Sequence, residues 1–341
     1  RLSLIEKAAE TSPARHVFIK GSIADKALVD GLFAEYKPAV VVNLAAQAGV
    51  RYSIDHPDVY IESNLIGFFN ILEACRHNPV EHLVYASSSS VYGGSRKVPF
   101  STEDMVDNPV SLYAATKKSN ELLAHSYSKL YNIPSTGLRF FTVYGPAGRP
   151  DMFYYAATQK LVKGETISIF NYGNCQRDFT YVDDIVEGVL RVMQGAPEKA
   201  TGEDSLPLPP YAVYNIGGGT PENLLDYIST LQEELVRAGV LPEDYDFEAH
   251  RELVGMQPGD EILTTNLEYG ALDYTWVHLC RKAGARYVSQ EISVPFTSPE
   301  QVVEELWAGV TERTRAIFLS HMTSATAAIL PVEAICARAR E

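Results

Sequence analysis

Two hydrophobic rhythms alternate along the first half of the chain. Short apolar runs at 16–20 (HVFIK), 38–46 (PAVVVNLAA), 82–86 (HLVYA) and 136–142 (TGLRFFT) read as strands. The second is nearly continuous in Val and Ala, as in a strand covered on both faces of a parallel sheet. Between them, the segments from Asp25 to Tyr36, 64–75 and 111–131 repeat apolar residues at helical spacing. This alternation predicts right-handed crossovers and an α/β fold, a doubly wound parallel sheet. Ligands bind such sheets at the carboxyl ends of the strands. Ala45, Ala46 and Gln47, the serines at 87–90, and Phe141 with Thr142 all fall at those ends. Three strands thus aim small and polar side chains at one crevice.

After Tyr144 the rhythm breaks into a Pro/Gly loop, YGPAGRPDM (144–152), then shorter elements including a strand at 166–170 and a helix at 182–193. Residues 202–210 are polar and proline-rich. This predicts a smaller lobe closing over the crevice. The run NIGGGTPE (215–222) resembles a phosphate-binding loop but reads better as a turn into a helix, with Thr220 as N-cap, Pro221 at the first helical position and Glu222 in the first turn. The chain opens on RLSLIEK, a pattern from the middle of a helix, and no Gly-x-x-Gly-x-x-Gly turn precedes residue 45. Either the first βαβ element has been cut away, or the chain is not a dinucleotide binder.

The candidate chemistry sits at the start of the 111–131 helix. Tyr113 and Lys117 are four residues apart and share a helix face. An ammonium beside a phenol favours the phenolate, and a serine from a strand end can hydrogen-bond the same substrate oxygen. A Tyr-x-x-x-Lys pair alone arises by chance in any amphipathic helix; the serine run closing an apolar strand is what makes a proton-transfer site of it.

Charge and cysteine content narrow the setting. A formal charge of −14 over 341 residues, without a basic cluster, argues against nucleic-acid partners. Four cysteines scattered without metal-ligand spacing predict no metal and a reducing, cytoplasmic location. No apolar run approaches the roughly 18 residues of a membrane span.

Taken together, NLAAQAGVRYS (43–53), YASSSSVYG (85–93), PVSLYAATKK (109–118), LRFFTVYGPAGRPDM (138–152), RDFTYVDDIVEG (177–188), YNIGGG (214–219) and MQPGD (256–260) resemble the extended short-chain dehydrogenase/reductase family. The likeness is nearest to the UDP-glucuronate 4-epimerases. It implies a Rossmann domain over 1–260 with a substrate lobe mainly at 144–175 and 200–260, retained NAD, a UDP-sugar substrate and a homodimer. It also implies a glycine turn upstream of Arg1, so that the first βαβ element is missing from this chain. By the same resemblance, Tyr113 is the catalytic base, Lys117 lowers its pKa and holds the nicotinamide ribose, and Ser88 binds the reacting hydroxyl. Ser89 and Ser90 contact the sugar, Thr142 and Arg149 its carboxylate, Arg177 the diphosphate and Phe170 the uracil. Ser22 and Ile23 approach adenine, and Ala45, Ala46 and Gln47 pass beside the pyrophosphate and ribose. Three serines stand where a dehydratase or decarboxylase carries an acid, which favours epimerisation.

Past Asp260 the likeness changes. EILTTNLEYGA (261–271), HLCRKAGARYVSQEI (278–292) and TRAIFLSHMTSATAAILPVEAICARARE (314–341) resemble the middle of a class V pyridoxal-phosphate aminotransferase, which makes the chain a chimera of two families. Glu268, Tyr269, Thr323 and Ser324 match positions near that cofactor. The one lysine after Asp260, Lys282, reads as an exposed helix end rather than a Schiff-base lysine. About 80 residues are too few for a complete core of their own. Two alternative functions follow, a pyridoxal-phosphate-dependent enzyme and a non-catalytic sugar-nucleotide binder.

Overall fold

A computed structural model describes residues 2–95, 97–202, 205–323 and 326–340. Helix α1 (Leu2–Glu10) precedes α2 (Lys26–Tyr36), whose first turn is capped by Asp25 accepting from Leu28 N. Strand β1 (Val40–Asn43) leads through α3 (Tyr52–Asp55), α4 (Pro57–Tyr60) and a π-helical turn at Ile61–Ile66 into α5 (Gly67–His77). Then come β2 (His82–Ser88), a 3-10 turn at Ser89–Tyr92, α6 (Leu112–Tyr131), β3 (Ser135–Phe140) and β4 (Thr142–Tyr144). Next are α7 (Phe153–Val162), β5 (Ile167–Phe170), β6 (Gln176–Tyr181), α8 (Val182–Met193), the short pair β7 (Ala200–Thr201) and β8 (Pro207–Leu208), β9 (Tyr211–Ile216), β10 (Pro221–Asn223) and α9 (Leu224–Arg237). The chain ends with β11 (Arg251–Val254), β12 (Glu261–Thr265), α10 (Gly270–Ala283), β13 (Arg286–Gln290), α11 (Pro299–Trp307), β14 (Thr314–Ile317) and α12 (Val332–Arg338).

The chain divides into two compact units, 1–159 with 176–227, and 160–175 with 228–341. In the first, β1, β2, β3 and β9 form a parallel sheet in that order. Parallel pairing forces each connection across a face of the sheet, and helices make it. Phe33 of α2, Phe68 and Leu72 of α5, Ala124 of α6, and Leu83 and Tyr85 of β2 meet in one buried cluster. Each large side chain there contributes about 1.5–3 kcal/mol by leaving water. Chain β3 ends at Phe140, and β4 departs to pair with β6 in a second sheet of order β10, β6, β4. The strand end is therefore where the chain leaves one sheet for another.

Three local expectations are corrected. Residues 16–20 form no strand, and Val17, Phe18 and Ile19 are 42%, 54% and 41% exposed. An apolar run is a strand only where a ladder receives it, and no described strand pairs with this one. The run at 38–46 yields only β1, which is half-buried because it lies at the end of the sheet order. Pro221 and Glu222 lie in β10, antiparallel to β6, so the helix starts at Leu224 and Asn223 Oδ1 caps it by accepting from Leu225 N at 2.8 Å. The preceding glycine turn is filled from within: Asp178 accepts from Gly218 N at 2.7 Å and Gly219 N at 2.8 Å. Its amides are thus satisfied without a phosphate.

In the second unit β5 and β11 pair in parallel, and β13, β12 and β14 form a three-stranded parallel sheet in that order. Short as this tail is, Leu263, Leu267, Ile292, Val302, Leu306, Leu330 and Ile335 build a buried cluster of their own. Glu268 accepts from Ser320 N at 2.8 Å and is 8% exposed. It therefore links the end of β12 to the chain after β14. Ser324 lies outside the described residues.

Candidate active site

Strand β2 and helix α6 deliver the central residues. Ser111 starts the helix by accepting from Ala114 N at 3.1 Å, which fixes Tyr113 in the first turn and Lys117 in the second. Strand β2 runs to Ser88, and the chain then tightens into the 3-10 turn, with Ser90 Oγ donating to Ser88 Oγ at 2.9 Å. Ser88 and Tyr113 meet: burial pushes the Tyr113 phenol above its usual pKa, while the Ser88 hydrogen bond and the Arg149 charge draw it down. The positive charge set against the phenol is thus that of Arg149. Lys117, 3% exposed, donates from Nζ to the Ala86 carbonyl at 2.8 Å, and burial pulls its pKa down to about 8.

The Arg149 guanidinium forms a two-pronged contact with Asp151, Nε to Oδ1 at 3.0 Å and Nη2 to Oδ2 at 2.7 Å. This is the geometry in which an arginine receives a free carboxylate. Thr142 and Arg177 lie in β4 and β6 of the small sheet, and Arg177 is exposed. Ser89 is half-buried beside Ser88. Phe170, 49% exposed, closes β5 and belongs to the second unit.

On the same face of α6, the loop after β1 is clamped. Asn64 in the π-helical turn accepts from Gln47 N at 2.8 Å and donates to Gln47 O at 3.0 Å and Thr116 Oγ1 at 3.0 Å. Thr116 Oγ1 in turn donates to the Tyr113 carbonyl at 2.9 Å. With its amide oriented to donate, Asn120 reaches the Asn64 carbonyl at 2.9 Å. Tyr60, fully buried, donates to Gly49 O at 2.6 Å, and its ring lies 6.1 Å from that of Tyr113. Sequence reasoning passed over Tyr60 and Asn64. A buried asparagine in an apolar helix was the available signal, and the π-turn that aims it has no sequence signature.

The donor set suits NAD. Lys117 has three N–H groups, and the described contact to Ala86 uses one, which leaves capacity for ribose hydroxyls. At the adenine side, Asn70 Nδ2 donates to Ile23 O at 3.0 Å and Ala24 O at 3.1 Å, which holds the loop carrying Ser22 and Ile23 on α5. A Cβ at Gly67 would lie 2.6 Å from Ile23 Cγ1, so only glycine lets the loop sit that close. Ala45 is exposed, and Ala46 and Gln47 are half-buried, at the carboxyl end of β1. Among the described residues no cluster of His, Cys, Asp and Glu could hold a metal ion, and no helix is long and apolar enough to cross a membrane.

The fold is Rossmann-like, and it carries Ser88 at the end of β2 and Tyr113 and Lys117 on α6. The chain belongs to the NAD dependent epimerase/dehydratase family, whose model matches residues 3–217. Residues 248–341 match a second model, Aminotransferase class-V, so two families are joined in one chain. Protein CapI of Staphylococcus aureus is 52% identical over 235 residues, 67% of each chain. A probable UDP-glucuronate 4-epimerase of Rhizobium meliloti is 43% identical over 230 residues, 65% of this chain and 67% of the relative. Among solved structures, the UDP-glucuronic acid 4-epimerase of Bacillus cereus in complex with UDP-glucuronic acid and NAD is similar with a TM-score of 0.59. That structure is 32% identical, with 73% of this chain and 71% of that one covered.

Proposed function

We propose that the protein is an NAD-dependent UDP-sugar 4-epimerase, an isomerase that interconverts UDP-glucuronate and UDP-galacturonate. The observation that carries this reading is the placement of Ser88 at the end of β2 and of Tyr113 and Lys117 in successive turns of α6, together with the two-pronged carboxylate grip of Arg149. The relatives named for UDP-glucuronate support the choice of sugar.

NAD, when bound, takes a hydride from C4 of the sugar and later returns it. The chain's own residues handle the proton and the pose. Tyr113 accepts the proton of the 4-hydroxyl and gives it back after the 4-keto sugar has turned over, while Ser88 holds the same oxygen. Lys117 is assigned to the nicotinamide ribose, while the charge that draws the Tyr113 phenol down is that of Arg149. Arg149 and Thr142 receive the uronate carboxylate, and Ser89 and Ser90 contact the ring. Arg177 faces the diphosphate and Phe170 the uracil. Ser22 and Ile23 flank adenine, and Ala45, Ala46 and Gln47 the pyrophosphate and ribose. No acid accompanies the three serines, which favours epimerisation over elimination or decarboxylation. A homodimer would pair the helices around Asn64 and Tyr113, where Ile66, Phe69 and Leu122 are 49%, 41% and 58% exposed. The domain boundary proposed for the join is at 260/261, with a cytoplasmic location.

The test is turnover of UDP-glucuronate with added NAD, followed by chromatographic separation of the two UDP-uronates. Tyr113→Phe abolishes epimerisation, and Arg149→Ala raises KM for UDP-glucuronate about tenfold or more while barely changing that for UDP-glucose. Equal losses for both sugars would remove the uronate assignment, and activity surviving in Tyr113→Phe would remove the mechanism.

A further inference from the structure

A second set of polar groups lies buried beneath the site. Ser87 and Ser88 are neighbours on β2, and their side chains leave opposite faces of the sheet. Ser88 meets Tyr113, whereas Ser87 Oγ donates to Glu121 Oε1 at 2.6 Å. Glu121 is on the same helix as Tyr113 and Lys117, one turn further on. Arg139 grips its carboxylate with Nε and Nη2, both at 2.9 Å. It reaches from β3, where it is the register partner of Ser87. Arg139 Nη1 donates to Tyr92 OH at 3.0 Å, and Tyr92 OH donates to Asn215 Oδ1 on β9 at 2.7 Å. Lys118 Nζ lies 3.4 Å from Glu121 Oε2. Glu121 and Arg139 are 3% and 2% exposed.

Stability does not account for this arrangement. Apolar residues of similar volume in place of a buried ion pair often leave a fold as stable or more so. What an ion pair adds is direction. Hydrophobic burial between α6 and the sheet tolerates sliding, because it depends on area and not on alignment. A two-pronged guanidinium–carboxylate contact holds both planes in register.

We propose that Glu121 and Arg139 are positioning residues, which act through Ser87 to fix the end of β2 against α6 and so keep Ser88 on the Tyr113 hydroxyl. This rests on the reading of Ser88 and Tyr113 as the proton-transfer pair. Neither Glu121 nor Arg139 touches the substrate. Their effect is on the distance between two groups that do, where small misplacements cost rate.

The test compares the parent with the double variant Glu121→Met/Arg139→Met and with Ser87→Ala, which leaves the ion pair in place. A ring-fluorinated tyrosine incorporated at position 113 lets fluorine NMR follow its titration near neutral pH. The other ionisable groups around that phenol, Tyr60, Arg149 and Lys117, are untouched in both variants. The double variant is expected to keep the parent's thermal midpoint and to titrate about half a pH unit higher, since the Ser88 hydrogen bond is weakened. Its kcat for UDP-glucuronate falls about tenfold with little change in KM. Ser87→Ala moves both quantities in the same direction by less. A folded double variant with the parent's titration overturns the proposal. If the double variant does not fold, an unshifted titration in Ser87→Ala overturns it instead. A parent without turnover refutes the proposed reaction, while the titration, which needs none, still decides the positioning role.

Discussion

Lys117 retains 3% of its surface, and burial brings its pKa from 10.5 down to about 8. Between those two pH values the unfolded chain holds a proton that the folded chain has released. Stability therefore rises with pH across that window, and below about 8 the full cost of burying the ammonium is present. That cost is on the order of 3 kcal/mol. Lys117→Met is expected to raise the thermal midpoint by several degrees at pH 7, and the gain should shrink as the pH approaches 10.5. Thermal scans at pH 7 and 10 measure this, and a variant no more stable than the parent at pH 7 would show that the lysine's burial carries no such cost. Arg149 presents the complementary case. It stays charged, and its fork is engaged by Asp151, so an arriving carboxylate has to displace a contact that is largely exposed. Exposed pairs are worth about 1 kcal/mol or less, so the displacement is easy.

Among the elements, α6 was the most legible in the chain. Its apolar spacing and same-face Tyr113 and Lys117 follow from local rules, and the structure adds the Ser111 cap that starts it. Glu121 extends that face by one more turn, and Arg139 is the one charge within β3, so both halves of the buried pair were visible singly. Their contact was not, because it depends on which strand follows β2 in the sheet. The π-turn at Ile61–Ile66 and the unpaired run at 16–20 were illegible for a related reason. Hydrogen-bond partners far away in sequence decide both. Asn64 gives a measurable consequence. Asn64→Ala removes three hydrogen bonds and leaves Gln47 N and O unpartnered, which should cost about 2–3 kcal/mol. Ser111→Ala, which removes only the cap, should cost about 1 kcal/mol. Urea titrations would compare the two, and equal costs would mean that the Asn64 clamp is no stronger than a helix cap.

For the molecule as a whole, the division into 1–159 with 176–227 and 160–175 with 228–341 means that contact groups part of the epimerase-like sequence with the aminotransferase-like tail. The sequence predicted a boundary from where one family likeness stops, whereas compactness follows which strands find partners. The four-stranded sheet also ends abruptly at β1, with exposed Leu44 beyond it and Val17, Phe18 and Ile19 left uncovered. An edge strand beside exposed apolar side chains is a place where an extended chain can join a sheet. Colloidal behaviour in solution is where this should appear. A net charge of −14 keeps copies apart at low ionic strength, and salt screens that repulsion. Light scattering should therefore grow with added salt and fall in Phe18→Lys, which places a charge on the apolar run. Scattering indifferent to both would locate the sticky surface elsewhere. If the expectation holds, the ionic strength of the buffer decides whether this protein can be kept at the concentrations its own assays need.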